Sequence, residues 1–193
     1  MNKILTLLLI AVGFQANAQE NKLKATVEKI VIEYKGKKVK AKKLTVSSAI
    51  PMNIDSAWNN VKTPALLAFV AKGMIRFKPT GVGFPKQWEL GETYGAKMRV
   101  FGFIPFGGTH YLFIEKIDNE NYEIATREWD KSTKVWNHNI LMKDLGNGSI
   151  YYEDSITIYG GMMTGFITTF AKWFYKHRQK RWQKVAEKNL KCG

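Results

Sequence analysis

Residues 160–190 indicate the fold of this chain, and they have the sequence GGMMTGFITTFAKWFYKHRQKRWQKVAEKNL. Apolar side chains recur there every three or four positions, which is the period of one helix face: Met163, Ile167, Phe170 and Phe174. Phe166 and Trp173 widen this stripe, and Trp182 and Val185 continue it. We expect one long amphipathic helix. Because so wide an aromatic stripe must be buried, a curved sheet is its expected partner.

Composition predicts one globular domain with a strongly basic surface. The chain has 193 residues, 45% of them hydrophobic, and 30 Lys and Arg against 16 Asp and Glu. The lysines cluster at residues 35–43 and 172–191, outside the apolar pattern, which favours solvated faces. Contact with an anionic membrane surface or an acidic polysaccharide is the alternative. No nucleic-acid motif is present, so no nucleic-acid partner is expected.

Residues 1–18 are typical of a signal peptide. Lys3 precedes an apolar run over residues 4–14, and Ala16-Asn17-Ala18 provides a small-x-small cleavage site. The run is too short to span a bilayer, which takes about 20 residues. We expect an exported protein, periplasmic or secreted, that begins at Gln19. Cys192 is the only cysteine, so no intramolecular disulfide is expected.

The remaining chain divides into a basic extension at 19–43 with one extra strand, a main domain at 44–190, and a tail at 191–193. Alternation over residues 25–50 predicts a hairpin with its turn at residues 35–38. Two short helices should follow Pro51, the first capped by Asn53 or Asp55 and the second starting at Pro64.

Strand patterns fill the region between these helices and the last one. We expect turns at residues 105–108, 118–121 and 146–148, and short turns between neighbouring strands mean antiparallel pairing. The predicted strands are 74–77, 93–104, 109–117, 122–129, 134–145 and 150–159.

This order of elements resembles the START-like superfamily, also called SRPBCC, and within it the polyketide cyclase/dehydrase and lipid-transport group. The resemblance covers about residues 44–190. It rests on residues 45–51 running into Ile54-Asp55-Ser56-Ala57-Trp58, on Trp136-Asn137-His138, on residues 153–161, and on the aromatic-then-basic final helix. It implies an α+β helix-grip fold: a curved antiparallel sheet wrapped around a long C-terminal helix, with two short helices after the first core strand. It also implies a cavity for hydrophobic or amphipathic molecules.

Several side chains should point into such a cavity from strands and helices. Plain core packing is the alternative for each of them. The candidates are Trp58, Tyr94, Met98, Val100, Trp136, Ile140, Tyr152, Ile156, Met163, Ile167, Phe170 and Phe174.

Asp154 lies in alternation with apolar strand residues, so a buried face would carry a carboxylate, at a cost of several kcal/mol unless paired. His138 in the preceding strand is its predicted partner, and His110 is a third candidate polar group. Such groups could orient a ligand or serve as general acid and base. A purely structural pair is the favoured alternative.

The leading hypothesis is therefore an exported carrier that holds a lipid-like or aromatic molecule without catalysing a reaction. The first rival is a cyclase or dehydratase that uses His138 and Asp154. The second rival is an interaction protein that docks on anionic membranes. The sequence contains no catalytic elbow, zinc motif or phosphate loop, so neither a metal nor a cofactor is predicted, and the oligomeric state is left open.

Overall fold

The structure is a computed structural model, and it describes residues 23–187. For Glu187 it describes the backbone alone. The described residues form strands β1 (Lys24–Tyr34), β2 (Lys37–Ile50), β3 (Ile75–Pro79), β4 (Thr93–Val100), β5 (Ile104–Asp118), β6 (Glu123–Trp129), β7 (Val135–Asp144) and β8 (Ile150–Tyr159). They also form helices α1 (Ile54–Val61), α2 (Pro64–Ala71) and α3 (Thr164–Glu187), the last preceded by a 3₁₀ turn, Gly161–Met163.

All of these strands belong to one antiparallel sheet with the order β1-β2-β8-β7-β6-β5-β4-β3. The first core strand, β2, therefore pairs with the last strand, β8. At the edge, β1 folds onto β2 through Lys35 and Gly36, whose φ angles of 51° and 72° are those of a tight hairpin turn. The boundary expected at residue 44 lies inside β2, which is continuous.

The two short helices begin where the sequence predicted. The Asn53 side chain accepts hydrogen bonds from the backbone N–H groups of Asp55 and Ser56 and so caps α1. Thr63 caps α2 in the same way, accepting from the Leu66 N–H, and Pro64 occupies the first turn.

The turn between β4 and β5 differs from the prediction. We predicted one strand over 93–104 and a turn at 105–108, whereas β4 ends at Val100 and the chain turns at Phe101 and Gly102. The Phe101 N–H donates to the carbonyl of Met74, 2.7 Å away. Residues 105–108 instead lie within β5, where Pro105 and Phe106 pair with β4 and Gly107 and Gly108 form a bulge. The turn is therefore set by a contact that is distant in sequence, which alternation does not reveal.

Helix α3 packs against β2, β8 and α2, and its buried stripe contains Ile167, Phe174, Tyr175, Trp182 and Val185. The predicted stripe was too wide at its start. Met163 lies in the 3₁₀ turn and is 49% exposed, while Phe166 and Trp173 are 62% and 53% exposed. The latter two are seven positions apart, so they share one helix edge that turns away from the sheet.

None of the helices in the described residues is both long and apolar enough to cross a membrane. The predicted signal peptide and Cys192 lie outside the described residues.

Candidate ligand-binding cavity

A cavity of about 110 Å³ lies between α3 and strands β4–β7. It forms because α3 packs on β2 and β8, at one side of the sheet, and stands away from the other strands. Most of the wall is apolar. Predicted site residues that line it are Tyr94, Met98, Val100, His110, Trp136, His138, Ile140, Ile167, Phe170 and Phe174.

Five predicted site residues do not reach the cavity wall: Trp58, Tyr152, Asp154, Ile156 and Met163. Trp58 packs edge-on against Tyr122 and donates its indole N–H to Asn119 Oδ1, 2.9 Å away. The three β8 side chains are fully buried beneath α3, and Met163 faces outward from the 3₁₀ turn. Strand alternation placed the β8 side chains on the correct face of the sheet but did not show that α3 covers this part.

The predicted pair of His138 and Asp154 is present. His138 Nε2 lies 2.9 Å from Asp154 Oδ1. In the β7–β8 register His138 is opposite Ile156, and Asp154 is opposite Ile140, so the pair is diagonal. Both side chains are buried, with 6% and 0% exposed, and only the imidazole borders the cavity.

Further donors enclose the Asp154 carboxylate. Tyr152 donates its hydroxyl to Oδ1 at 3.1 Å, Gln179 donates to Oδ2 at 3.2 Å, and Arg178 Nε is 3.6 Å from Oδ1. Burial raises the pKa of Asp154, but Arg178 and the His138 bond outweigh it and hold this pKa below its ordinary value. Asp154 is thus a sealed carboxylate that joins β8 to α3.

A second histidine–carboxylate group borders the cavity from β5 and β6. His110 Nε2 lies 2.9 Å from Glu128 Oε2, and His110 Nδ1 lies 3.0 Å from Asp130 Oδ2. Burial lowers the pKa of His110, yet the bonds to the two carboxylates outweigh it and raise this pKa to about 9. The imidazole is therefore charged at neutral pH. Burial likewise raises the pKa of Glu128, and the His110 bond brings it below its ordinary value.

Glu128 also connects the two groups. Its Oε1 atom accepts the Thr126 hydroxyl at 2.6 Å and lies 3.8 Å from His138 Nδ1. Asp130 is fixed by its own turn, because its Oδ1 atom accepts the backbone N–H groups of Ser132 and Thr133 at 2.7 Å each. A chain of polar side chains thus runs from Asp130 to Arg178 along one end of the cavity.

The sequence reasoning missed the acidic and helical members of this chain: Glu128, Asp130, Arg178 and Gln179. Signals for two of them existed. Glu128 lies in alternation with Ile124 and Thr126 on the buried face of β6. Arg178 follows Phe174 by four positions on the apolar stripe, where a solvated charge is not expected, and it is 5% exposed.

Comparison with known proteins matches no family model and no curated protein sequence. Solved structures do match. Norcoclaurine synthase from Thalictrum flavum, in complex with dopamine and hydroxybenzaldehyde, has a TM-score of 0.55 at 11% identity, over 91% of this chain and 93% of its own. Protein Ms6760 from Mycobacterium smegmatis scores 0.57 at 10% identity, over 74% and 89%. Major latex-like protein 151 from Panax ginseng scores 0.56 at 12%, over 76% and 97%.

Fold and cavity together define an α+β protein in which a curved antiparallel sheet holds a long C-terminal helix. The chain has the helix-grip fold of START-like, or SRPBCC, proteins, as its sequence resemblance implied. At these identities the likeness establishes the fold, and function has to be inferred from the cavity.

Proposed function

We propose that the protein is an exported carrier that binds one hydrophobic or amphipathic small molecule between its sheet and α3. The observation that carries this proposal is a cavity with a mostly apolar wall that also contains the polar side chains of His110, Glu128 and His138. Such a combination buries an apolar ligand and orients it through a few polar contacts. The similar norcoclaurine synthase structure, which holds dopamine and hydroxybenzaldehyde, supports small aromatic ligands for this fold.

The size of the cavity limits the ligand. An apolar cavity of about 150 Å³ takes up benzene, so a volume of about 110 Å³ limits the ligand to no more than one ring or a short chain. Toluene and p-cresol are therefore suitable probes, since they share an apolar body and differ by one hydroxyl. The hydroxyl of p-cresol is able to donate to a free lone pair of Glu128.

The test is isothermal titration of the purified protein with both probes, together with native mass spectrometry for a co-purified ligand. We expect one site, and tighter binding of p-cresol than of toluene. A protein that purifies without ligand and binds neither probe would overturn the carrier proposal.

An enzyme is the second candidate, and a specific observation supports it. His138 and Glu128 both border the cavity and lie 3.8 Å apart at their nearest atoms, so a general acid and a general base are available to a bound molecule. Asp154 would then orient His138 and would not touch the substrate, because its oxygens are held by Tyr152 and Gln179. Turnover of a bound compound that His138→Gln abolishes, with binding retained, would favour the enzyme over the carrier.

Export is proposed from the sequence of residues 1–18 alone. N-terminal sequencing of the product secreted by a bacterial host tests it, and we expect Gln19 as the first residue. Recovery of the uncleaved chain from the cytoplasm would contradict export. Docking on anionic membranes, the remaining rival, is a question about the surface rather than the cavity.

A further inference from the structure

An exposed apolar patch lies where the β4–β5 turn meets the first half of α3. Its members, here called the aromatic patch, are Phe101, Phe103, Ile104, Met163, Phe166 and Trp173, each between 45% and 68% exposed. The rings of Phe101 and Trp173 lie 5.7 Å apart and join the turn to the helix. Side chains of this size that are exposed singly are ordinary, whereas a contiguous group marks an interaction surface.

The helical part of the patch lies next to the cavity. Phe166, Phe170 and Trp173 follow each other at spacings of four and three, so they share one side of α3, and Met163 lies in the 3₁₀ turn that precedes it. Phe170 is half-buried, lies 6.5 Å from the ring of Trp173, and packs 6.3 Å from the ring of Phe106 in the cavity wall. Phe170 thus separates the exposed patch from the cavity.

The chain segments that form the patch and line the groove beside it contain basic residues and no acidic ones. Residues 66–88, 93–114 and 160–186 contain no Asp or Glu. Lys72 and Arg76 line a groove beside Phe101, and Lys172 precedes Trp173 on α3. A rim with this charge is complementary to an anionic surface. Aromatic side chains surrounded by Lys and Arg are typical of segments that bind anionic lipid bilayers, because the rings enter the headgroup region and the cations meet phosphates.

We propose that the aromatic patch docks on the surface of an anionic lipid bilayer, with the rings in the headgroup region and Lys72, Arg76 and Lys172 against the phosphates. These three cations are not members of the lysine cluster at residues 35–43, which lies on the β1–β2 hairpin. Docking itself does not depend on the carrier proposal. If both hold, docking brings the cavity wall at Phe170 next to the lipid, so an apolar ligand exchanges with the bilayer without crossing water.

Vesicle flotation with the full chain tests the proposal, using phosphatidylcholine alone and phosphatidylcholine mixed with phosphatidylglycerol. We expect binding to the mixed vesicles that weakens as salt is raised. Phe166→Ser combined with Trp173→Ser should lower the affinity at least tenfold, since two large side chains lose their burial. The matched control is Val31→Ser combined with Val82→Ser, which removes two exposed apolar side chains elsewhere. This control should leave binding unchanged.

A charge reversal separates the patch from the basic surface in general. Lys72→Glu with Arg76→Glu should lower binding to the mixed vesicles at least tenfold, because each substitution replaces attraction to the anionic surface with repulsion. Lys38→Glu with Lys40→Glu makes the same change of charge on the β1–β2 hairpin and should have a much smaller effect. Equal effects of the two pairs would overturn the assignment of the docking surface.

Further outcomes of these experiments would contradict docking of the aromatic patch on a bilayer. Equal binding to both kinds of vesicle, or no loss with the Phe166 and Trp173 substitutions, would overturn the proposal. A dimer in analytical ultracentrifugation that these two substitutions dissociate would show that a second copy covers the patch instead. Titration of the same variants with p-cresol keeps the two proposals apart. Neither residue lines the cavity, so ligand binding should persist when docking is lost.

Discussion

The two buried histidine–carboxylate groups of this protein have similar residues but differ in what surrounds the carboxylate. Asp154 is wholly buried, and donors from β7, β8 and α3 meet its oxygens. Among the described residues, Glu128 is held at hydrogen-bonding distance by His110 and Thr126, and it borders the cavity. A carboxylate whose acceptor positions are satisfied by the protein stabilises the fold, whereas one that keeps free lone pairs toward a cavity is available to a ligand. The Asp154 group is therefore structural, and the ligand contact that we propose falls to the Glu128 group.

The largest expected effect is a loss of stability when the buried Asp154 carboxylate is neutralised. Asp154→Asn removes the charge that faces Arg178 and His138, and breaking a buried charge pair on one side costs about 3–5 kcal/mol. We expect the free energy of unfolding in urea to fall by that amount. Glu28→Gln makes the same amide exchange at an exposed position on β1 and should change it by less than about 0.5 kcal/mol. A loss for Asp154→Asn as small as in this control would contradict the sealed role.

Sequence patterns predicted the group of His138 and Asp154 better than the group of His110 and Glu128. Asp154 interrupts an apolar alternation, and one short turn connects its strand to that of His138, so local rules were sufficient. Arg178 and Gln179 join the same group from a helix more than 20 residues further along. Pairing across that distance is decided by how α3 lies on the sheet, which periodicity does not encode.

The fold was predictable for a related reason. Short turns dictate antiparallel neighbours, and the order of elements resembled a known superfamily. The β4–β5 turn was misplaced because residues 105–108 have the composition of a turn yet lie within β5, where Gly107 and Gly108 form a bulge beside Asp130. The Gly107 backbone approaches the Asp130 carboxylate so closely that a Cβ there would lie 2.7 Å from Oδ2. This glycine is required by its contact with Asp130, which follows β6, and not by a local turn.

The next largest effect is a pH-dependent contribution of His110, which borders the cavity, to the stability of the protein. The folded pKa of His110, about 9, exceeds the ordinary value of 6.5, so its bonds stabilise the protein fully below pH 6.5. This contribution is lost as the pH rises through 9, and it corresponds to about 3 kcal/mol. Urea unfolding of wild-type protein and His110→Gln across pH 6–10 measures it. The difference between the two proteins should shrink toward pH 10, and a constant difference would contradict a charged His110.

A moderate loss of ligand affinity is expected when the Glu128 carboxylate is neutralised. Glu128→Gln removes the acceptor charge that a ligand hydroxyl would meet, and hydrogen bonds to charged groups contribute about 1.5–3 kcal/mol. Titration should show at least a tenfold loss of affinity for p-cresol and no loss for toluene. The matched control is Glu115→Gln on β5, an exposed residue outside the cavity. Equal losses for both probes would mean that Glu128 shapes the cavity without contacting the ligand.

The smallest expected effect on stability comes from filling the cavity beside this group. Ala96 lies on β4 opposite His110 and lines the cavity, so Ala96→Leu projects a larger side chain into it. Because the space is already open, the free energy of unfolding should change by less than about 1.5 kcal/mol. Binding of toluene and p-cresol should nevertheless be lost, since both need the same volume. Ala125→Leu makes the same exchange on β6, at a half-buried position outside the cavity lining, and should leave both affinities unchanged. Retained binding in Ala96→Leu would show that the ligand occupies another part of the molecule, and the role given to Glu128 would fall with it.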